Sequence, residues 1–274
     1  MRVAMRRAAH QMFDRPRVLE DPLAVPIIGP EAAAKLASEE RRHGQRIGRS
    51  IRAFMAARSR YAEDQLALAV ARGARQYVVL GAGLDTFAYR NPFPEETLRV
   101  FEVDYPATQE WKRQQLAKAA IPIPSSVIHA PVDFERQTLA DGLARAGFDT
   151  KAPTFFSWLG VVMYLTEEAT MSTLGFIAST SPGGGVVFDF AVPRESLNWV
   201  GRLALDVISR RVAAAGEPFR TFFDPRSLSE KLATTGFHAV ETLGAEEINA
   251  RYFTGREDEL RVSGNVGRLM KAEV

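Results

Sequence analysis

The chain of 274 residues contains no cysteine. This absence excludes disulfide bonds, zinc sites built on thiolates and cysteine nucleophiles. Histidine is scarce too, with residues only at positions 10, 43, 129 and 238, and their spacing matches no metal-binding motif. We therefore predict no metal ion. The length predicts one large domain, or a domain with an attached lid.

Long apolar runs and an excess of charge of one sign are missing as well. No apolar stretch approaches the roughly 20 residues of a membrane-spanning helix, and no apolar segment typical of a signal peptide follows the N-terminal arginines. We therefore predict a cytoplasmic protein with no membrane partner. The chain has 35 lysine and arginine residues and 33 aspartate and glutamate residues, so its net charge is +2. This charge is too small to indicate a nucleic-acid partner. The paired arginines Arg6-Arg7, Arg41-Arg42 and Arg210-Arg211 are expected on solvated helix faces.

After Gly73, segments typical of strands alternate with segments typical of helices. Strand-like runs occupy residues 76–80, 98–103, 126–130, 154–159, 185–192, 237–243 and about 266–274. Residues 1–72 have helical patterning, and a long helical insertion is expected at 193–223. The alternation predicts an α/β fold, with a mostly parallel sheet covered by helices on both faces. Such sheets bind ligands beyond the carboxyl ends of their strands, near the switch point in strand order.

The first of these strands ends abruptly in two glycines, within Gly81-Ala82-Gly83. Glycine adopts positive φ without strain and has no Cβ to keep a ligand away from the backbone. A β-branched, apolar strand followed by such a turn is typical of a nucleotide-like binding site. The alternative is that the glycines merely tighten the turn, so the neighbouring residues decide between the two interpretations.

Acidic residues follow the next two strands in the order that an adenosine site requires. The second strand ends in Glu102-Val103-Asp104, where a carboxylate can accept hydrogen bonds from ribose hydroxyls. Asp133 follows the third strand and can bond an exocyclic amine, while Phe134 packs on an adenine ring. Taken singly, Asp104 is also a candidate helix cap, and Asp133 an ordinary turn residue.

The glycine pattern is incomplete for a dinucleotide. Thr86 stands where a third glycine is usual, and Asp85 enters the turn. A pyrophosphate needs free N–H groups at a helix N-terminus, and the Asp85 carboxylate adds negative charge there. The residues therefore favour S-adenosylmethionine over a nicotinamide cofactor.

The motifs together resemble the leucine carboxyl methyltransferase superfamily, and within it the bacterial branch that includes polyketide carboxyl methylases. The segments that carry the resemblance are Arg7–Gln11, Asp21–Ala24, Arg58–Tyr61, Val79–Thr86, Tyr89-Arg90 and Phe101–Pro106 with Lys112. The resemblance implies a Rossmann-like class I methyltransferase fold with a seven-stranded sheet. It also implies a helical substrate cover at residues 1–57, a core at 58–274 and a lid within the core at 193–223.

The resemblance implies a role for each matching position in binding S-adenosylmethionine. Arg58 matches the arginine that pairs with the methionine carboxylate, and Arg60 could share that task. Gly81 matches the glycine that lies against the cofactor, beside Ala82 and Gly83. Asp104 matches the carboxylate that binds the ribose. Asp133 and Phe134 match the pair of residues at the adenine edge.

One position departs from the family pattern. Leu159 stands where the family often has a glutamate that contacts the amino-acid end of the cofactor. The cofactor ammonium then needs other acceptors, and backbone carbonyls near Gly81 or Gly160 are the candidates.

The acceptor of the methyl group is less well defined. His10, in the N-terminal cover, is the best candidate for a general base, and Tyr164 could face the substrate or simply pack in the core. The weak case for a base favours a carboxylate acceptor, which is already ionised at neutral pH. Apolar residues in 1–30 and 193–223 suit a small natural-product or acyl acid.

We therefore expect an O-methyltransferase of secondary metabolism that acts on a small-molecule carboxylate or hydroxyl. A methyltransferase for a protein C-terminal carboxyl and a nicotinamide-dependent oxidoreductase are the enzymatic alternatives. A non-catalytic cofactor-binding protein is a further alternative, for which the leucine at position 159 is the only hint.

Overall fold

A computed structural model describes residues 1–38, 46–133, 136–214, 216 and 218–274. Its centre is a seven-stranded sheet in the order β3-β2-β1-β4-β5-β7-β6. The strands are β1 Gln76–Leu80, β2 Arg99–Asp104, β3 Val127–Pro131, β4 Thr154–Trp158, β5 Gly185–Ala191, β6 His238–Leu243 and β7 Gly267–Glu273. Strands β1 to β5 are parallel, whereas β7 runs antiparallel to both β5 and β6.

Helices cover both faces of the sheet. They are α1 Arg2–Phe13, α2 Pro30–Ser38, α3 Arg46–Ala71, α4 Pro106–Lys118, α5 Leu139–Arg145, α6 Glu167–Ala178, α7 Trp199–Ala213, α8 Pro225–Thr235 and α9 Ala245–Tyr252. Side chains at the N-caps define where several of them begin: Thr166 accepts a hydrogen bond from the Ala169 N–H, and Asp224 accepts one from the Ser227 N–H.

Strand β1 is apolar on both faces because both faces are covered. Tyr77 and Val79 pack in the core beneath α3, while Val78 and Leu80 pack in the opposite core with Phe101 of β2. A continuous apolar run is what a strand in the middle of a parallel sheet requires. This burial holds the end of β1, and the loop after it, in a defined place.

The strand order reverses beside β1, and this reversal opens the binding edge of the sheet. From β1 the chain moves outward through β2 to β3, and then returns to add β4 and β5 on the other side of β1. The chain therefore continues from β1 and from β4 towards opposite edges of the sheet, although the loops that follow these two strands lie close together. The crevice between them lies at the carboxyl ends of the strands, where open α/β sheets bind ligands.

The structure confirms the predicted fold class and all seven strands, each within one or two residues at its ends. The described residues of the insertion at 193–223 are less helical than predicted: they form one short turn at Arg194–Ser196 and the 15-residue helix α7. Helix α9 was not predicted. The predicted division between cover and core, at 57/58, falls inside α3. Within the described residues, no helix is both long and apolar enough to cross a membrane.

Candidate active site

The loop after β1 has the backbone geometry that its glycines allow. Gly81 has φ +67° and Gly83 has φ +46°, both in the left-handed region that favours glycine. A Cβ on Gly81 would lie only 2.4 Å from Cγ2 of Val161, in the loop after β4. The two loops that border the crevice therefore approach each other so closely that only glycine fits, while the N–H groups of Gly81 and Ala82 bond to the Val103 carbonyl.

Asp104 stands at the end of β2, directly beside this loop. One oxygen of its carboxylate accepts a hydrogen bond from the Gly83 N–H at 2.6 Å, and the other accepts one from the Tyr105 N–H at 2.7 Å. Each carboxylate oxygen can accept a second donor, so Asp104 retains capacity for ribose hydroxyls. The adjacent strand β3 ends in register with Asp104, and places Asp133 next along the same edge. Phe134 lies outside the described residues.

Arg58 reaches the other side of the crevice from α3. It is 3% exposed, and its Nη1 lies 2.7 Å from Oδ2 of Asp189, within β5. The other oxygen of Asp189 accepts a hydrogen bond from the N–H of Gly160, in the loop after β4. Asp189 thus holds both the arginine and the loop.

The arginine is not saturated by this ion pair. Its Nε is buried and has no hydrogen-bond partner among the described residues. A Cβ on Gly160, which has φ +76°, would lie 2.8 Å from Nη2 of Arg58, so glycine is needed where the guanidinium approaches the backbone. A buried guanidinium with unused donors beside a glycine-lined crevice fits the carboxylate of an amino-acid ligand. Leu159, next to Gly160, is half-buried against the core beneath α3.

The sequence did not reveal Asp189. A signal was present, because Asp189 is an acidic residue inside the otherwise apolar strand β5, which is buried along its whole length. A carboxylate is rarely buried without a partner. The identity of that partner, Arg58, could not be read from residues 131 positions away in the chain.

Arg60 is not brought to Arg58. Residues two apart on a helix point in nearly opposite directions, and the side chain of Arg60 is 46% exposed and pairs with Asp64 one turn further on. The structure therefore does not support Arg60 as a second partner for a carboxylate bound by Arg58.

His10, the candidate general base, belongs to a buried, hydrogen-bonded cluster. It is fully buried, and its Nδ1 lies 2.8 Å from Oδ2 of Asp14. Its Nε2 accepts hydrogen bonds from the N–H groups of Val18 and Leu19. Arg52 completes the cluster with two hydrogen bonds of 2.7 Å to Asp14. Both ring nitrogens are therefore engaged inside the cover.

The expectation for Arg7 was wrong, and the interpretation of Asp85 changes with it. Arg7 is 4% exposed rather than solvated, and its Nη1 lies 2.8 Å from Oδ2 of Asp85. Burial raises the pKa of Asp85, but the positive charges of Arg7, Lys112 and Arg90 outweigh it and leave the pKa below its ordinary value. Because this carboxylate is ionised and paired, it does not by itself exclude a phosphate from the loop.

Glu102 faces the interior of the protein rather than the crevice. Its carboxylate accepts hydrogen bonds from Nζ of Lys112 and from the hydroxyl of Tyr89, both at 2.7 Å. The same hydroxyl lies 3.3 Å from Nε2 of His129. Burial raises the pKa of Glu102, and the Lys112 ammonium opposes that shift. Of the two acidic residues near the end of β2, only Asp104 lies at the glycine loop.

Tyr164 lies in a short helical turn after β4 and belongs to an aromatic cluster. Its ring centroid is 5.5 Å from that of Phe219, which lies 6.1 Å from that of Phe222. The segment that carries these two phenylalanines is tied to the turn, because the Arg220 N–H donates to the Met163 carbonyl at 2.8 Å. The aromatic cluster therefore joins the turn after β4 to the insertion.

Comparison with known structures defines the fold. A proposed methyltransferase of Thermobifida fusca superposes with a TM-score of 0.54 at 17% identity, over 94% of this chain and 96% of that one. The magnesium protoporphyrin IX methyltransferase ChlM of Synechocystis, solved with S-adenosylhomocysteine, gives 0.50 at 13% identity, over 88% and 94%. The chain has the fold of class I S-adenosylmethionine-dependent methyltransferases.

Sequence comparison defines the family. The proposed S-adenosyl-L-methionine-dependent methyltransferase YktD of Bacillus subtilis is 38% identical over 211 residues, which are 74% of this chain and 67% of that protein. The profile of leucine carboxyl methyltransferases matches residues 1–178. The chain belongs to the leucine carboxyl methyltransferase family of S-adenosylmethionine-dependent enzymes, as the resemblance in its motifs predicted.

Proposed function

We propose that this protein transfers the methyl group of S-adenosylmethionine to the carboxylate of a small apolar molecule. When bound, the cofactor supplies an electrophilic methyl group on a sulfonium. The protein must then hold donor and acceptor in line, a contribution of roughly 7–11 kcal/mol in well-oriented reactions. The observation that carries the choice of a carboxylate is the engagement of both ring nitrogens of His10.

The proposed cofactor site runs along the carboxyl edge of the sheet. The unused donors of Arg58 would bind the methionine carboxylate, and the crevice at Gly81 and Gly160 would admit the chain that carries the sulfonium. Asp104 would accept hydrogen bonds from the ribose hydroxyls, and Asp133 would bond the adenine edge. The role of Phe134 on the adenine ring stays a prediction from the sequence.

The state of His10 decides which acceptor suits the site. A hydroxyl or phenol needs a base, which contributes roughly 10²- to 10⁴-fold to the rate. His10 cannot take a proton from a substrate while Nε2 accepts two backbone N–H groups and Nδ1 faces Asp14. A carboxylate needs no such base, and the name of the family supports the same choice.

The aromatic cluster supports an apolar acceptor. Tyr164, Phe219 and Phe222 are half-buried and present rings beside the loop that follows β4. A natural-product or acyl acid would pack its apolar body on these rings and direct its carboxylate towards the crevice. We propose that Tyr164 contacts the substrate body in this way, and that the insertion at 193–223 acts as the lid.

The test is a transfer assay with a methyl-labelled donor, apolar carboxylic acids and the matching alcohols and phenols. We expect label on the acids, as methyl esters that mild alkali converts to methanol, whereas methyl ethers resist it. The value of kcat/KM should stay flat between about pH 6 and about pH 9, because a carboxylic acid with a pKa of about 4 is already ionised. Alkali-resistant label, or label confined to protein C-termini, would contradict the proposal.

A further inference from the structure

The side chain of Arg7 connects helix α1 to the loop that follows the two glycines. Its Nη1 binds the Asp85 carboxylate at 2.8 Å. Its Nη2 donates to the Leu84 carbonyl at 2.9 Å and to the Thr86 hydroxyl at 3.2 Å. One guanidinium thus contacts three consecutive residues of the loop, although about 80 positions separate them from it in the chain.

Asp21 reinforces this connection from the turn after α1. One of its carboxylate oxygens accepts a hydrogen bond from the Thr86 hydroxyl at 2.8 Å and lies 3.3 Å from Nε of Arg7. The other oxygen lies 3.3 Å from Nε of Arg90. Arg7, Asp21 and Thr86 are all almost completely buried. Such charges are stable only as a set, because removal of one leaves its partner buried and uncompensated.

The residues held by Arg7 lie directly next to the proposed cofactor contacts. Leu84 follows Gly83, whose N–H is bonded to the Asp104 carboxylate. Asp85 in turn accepts a hydrogen bond from the Phe87 N–H at 2.8 Å, which fixes the far side of the loop. A displacement of residues 84–86 would therefore displace Gly83 and disturb the carboxylate that we assign to the ribose.

We propose that Arg7 is a positioning residue, which holds the cofactor loop in its binding conformation and so couples the N-terminal helix to cofactor binding. This inference rests on the cofactor site proposed above. Coupling of this kind is reciprocal: if an ordered α1 favours the cofactor, then the cofactor must stabilise α1 to the same extent. The cover would then be part of the binding site without any contact to the ligand.

The test compares Arg7→Met with Arg52→Met in the full chain. Arg52 is the matched control, because it is equally buried, and its described ion pair is with Asp14 rather than with a residue of the loop. We expect both variants to unfold at lower temperature. By calorimetry, Arg7→Met should bind S-adenosylhomocysteine about tenfold or more weakly, whereas Arg52→Met should stay within about twofold of the wild type.

A second readout follows the helix itself. In the wild type, S-adenosylhomocysteine should slow hydrogen exchange of the α1 amides, and Arg7→Met should lose this protection. Asp85→Asn removes the other half of the ion pair and should reproduce both effects. This variant keeps the test available if Arg7→Met does not fold. Wild-type binding without any loss in these variants would overturn the inference, as would equal losses in the Arg52→Met control. Failure of the wild type to bind would instead overturn the proposed function.

Discussion

Two buried arginines of α3, each paired with an aspartate from another element, differ in how completely their hydrogen bonds are satisfied. In the cover, Arg52 gives two hydrogen bonds to Asp14, and His10 adds a third. At the crevice, Arg58 gives one to Asp189 and keeps a buried Nε without a partner among the described residues.

The comparison teaches where a ligand is expected. A saturated cluster has nothing left to bind and serves stability. A buried donor without a partner costs roughly 1–3 kcal/mol, and at Arg58, which borders the crevice, a bound carboxylate would offset this cost. The two sites contain the same residue types, so only the geometry separates them. Four predictions would break or sharpen this contrast.

The largest effect is expected from the two arginines themselves. Arg58→Met should weaken binding of S-adenosylhomocysteine by about a hundredfold, because a bidentate charged partner of the ligand is lost. Arg52→Met should leave this affinity unchanged. Both variants should lose about 3 kcal/mol of unfolding free energy, since each leaves a buried carboxylate unpaired. Calorimetry and urea unfolding measure the two quantities, and equal losses of affinity would contradict the contrast.

A smaller effect on affinity is expected at Gly160. Gly160→Ala puts a Cβ 2.8 Å from Nη2 of Arg58 and should weaken S-adenosylhomocysteine binding about tenfold, because the guanidinium must move. The matched control is Gly255→Ala: Gly255 has a similar φ of +71°, but nothing lies within 4 Å of the added Cβ. Both should lose about 1–2 kcal/mol of stability from the left-handed backbone. An equal fall in affinity would indicate a general effect of strain.

A substitution of His10 tests the cluster of His10, Asp14 and Arg52, in which the hydrogen bonds are satisfied. His10→Ala leaves the Val18 and Leu19 N–H groups and the Asp14 carboxylate without this partner, and should lower the free energy of unfolding by about 2–4 kcal/mol. Below its unfolding temperature, the variant should keep kcat/KM within about twofold of the wild type. A large loss of kcat with unchanged stability would restore His10 as the base.

The smallest effect is the acid sensitivity of the same cluster. Burial disfavours the charged Asp14, but hydrogen bonds from Arg52 and His10 outweigh it and lower the pKa from 3.8 to about 2. Because the folded-state pKa is depressed, the contribution of about 2 kcal/mol is present above about pH 4 and is lost as the pH falls towards about 2. Urea unfolding between these pH values should show this loss in the wild type, and Asp14→Asn should remove it. A parallel loss in Asp14→Asn would contradict the assignment.

The fold could be predicted in nearly complete form because its signals are local. Runs such as Tyr77–Leu80 are apolar and β-branched, and glycines mark where they end. Helix α9 gives no clear signal in the sequence because it is short and mostly polar, and the alanine and arginine content of the insertion predicts more helix than its described residues contain.

The site could be predicted only where its residues follow strand ends. Gly81, Asp104 and Asp133 share one edge because parallel strands bring their carboxyl ends together. Asp189 and Arg7 could not be predicted, since their roles depend on partners far away in the chain. The sequence also does not distinguish a buried arginine from a solvated one. The prediction of a solvated helix face for Arg6-Arg7 therefore fails at Arg7, which is buried.

The most direct test of the account compares two ligands in two proteins. S-adenosylhomocysteine carries the amino-acid carboxylate that we assign to Arg58, whereas 5′-methylthioadenosine lacks it and keeps the adenosine. We expect the wild type to prefer the former by about a hundredfold, and Arg58→Met to bind both with similar affinity, close to that of the wild type for 5′-methylthioadenosine. If Arg58→Met kept the preference, or lost both ligands equally, Arg58 would not be the partner of the carboxylate.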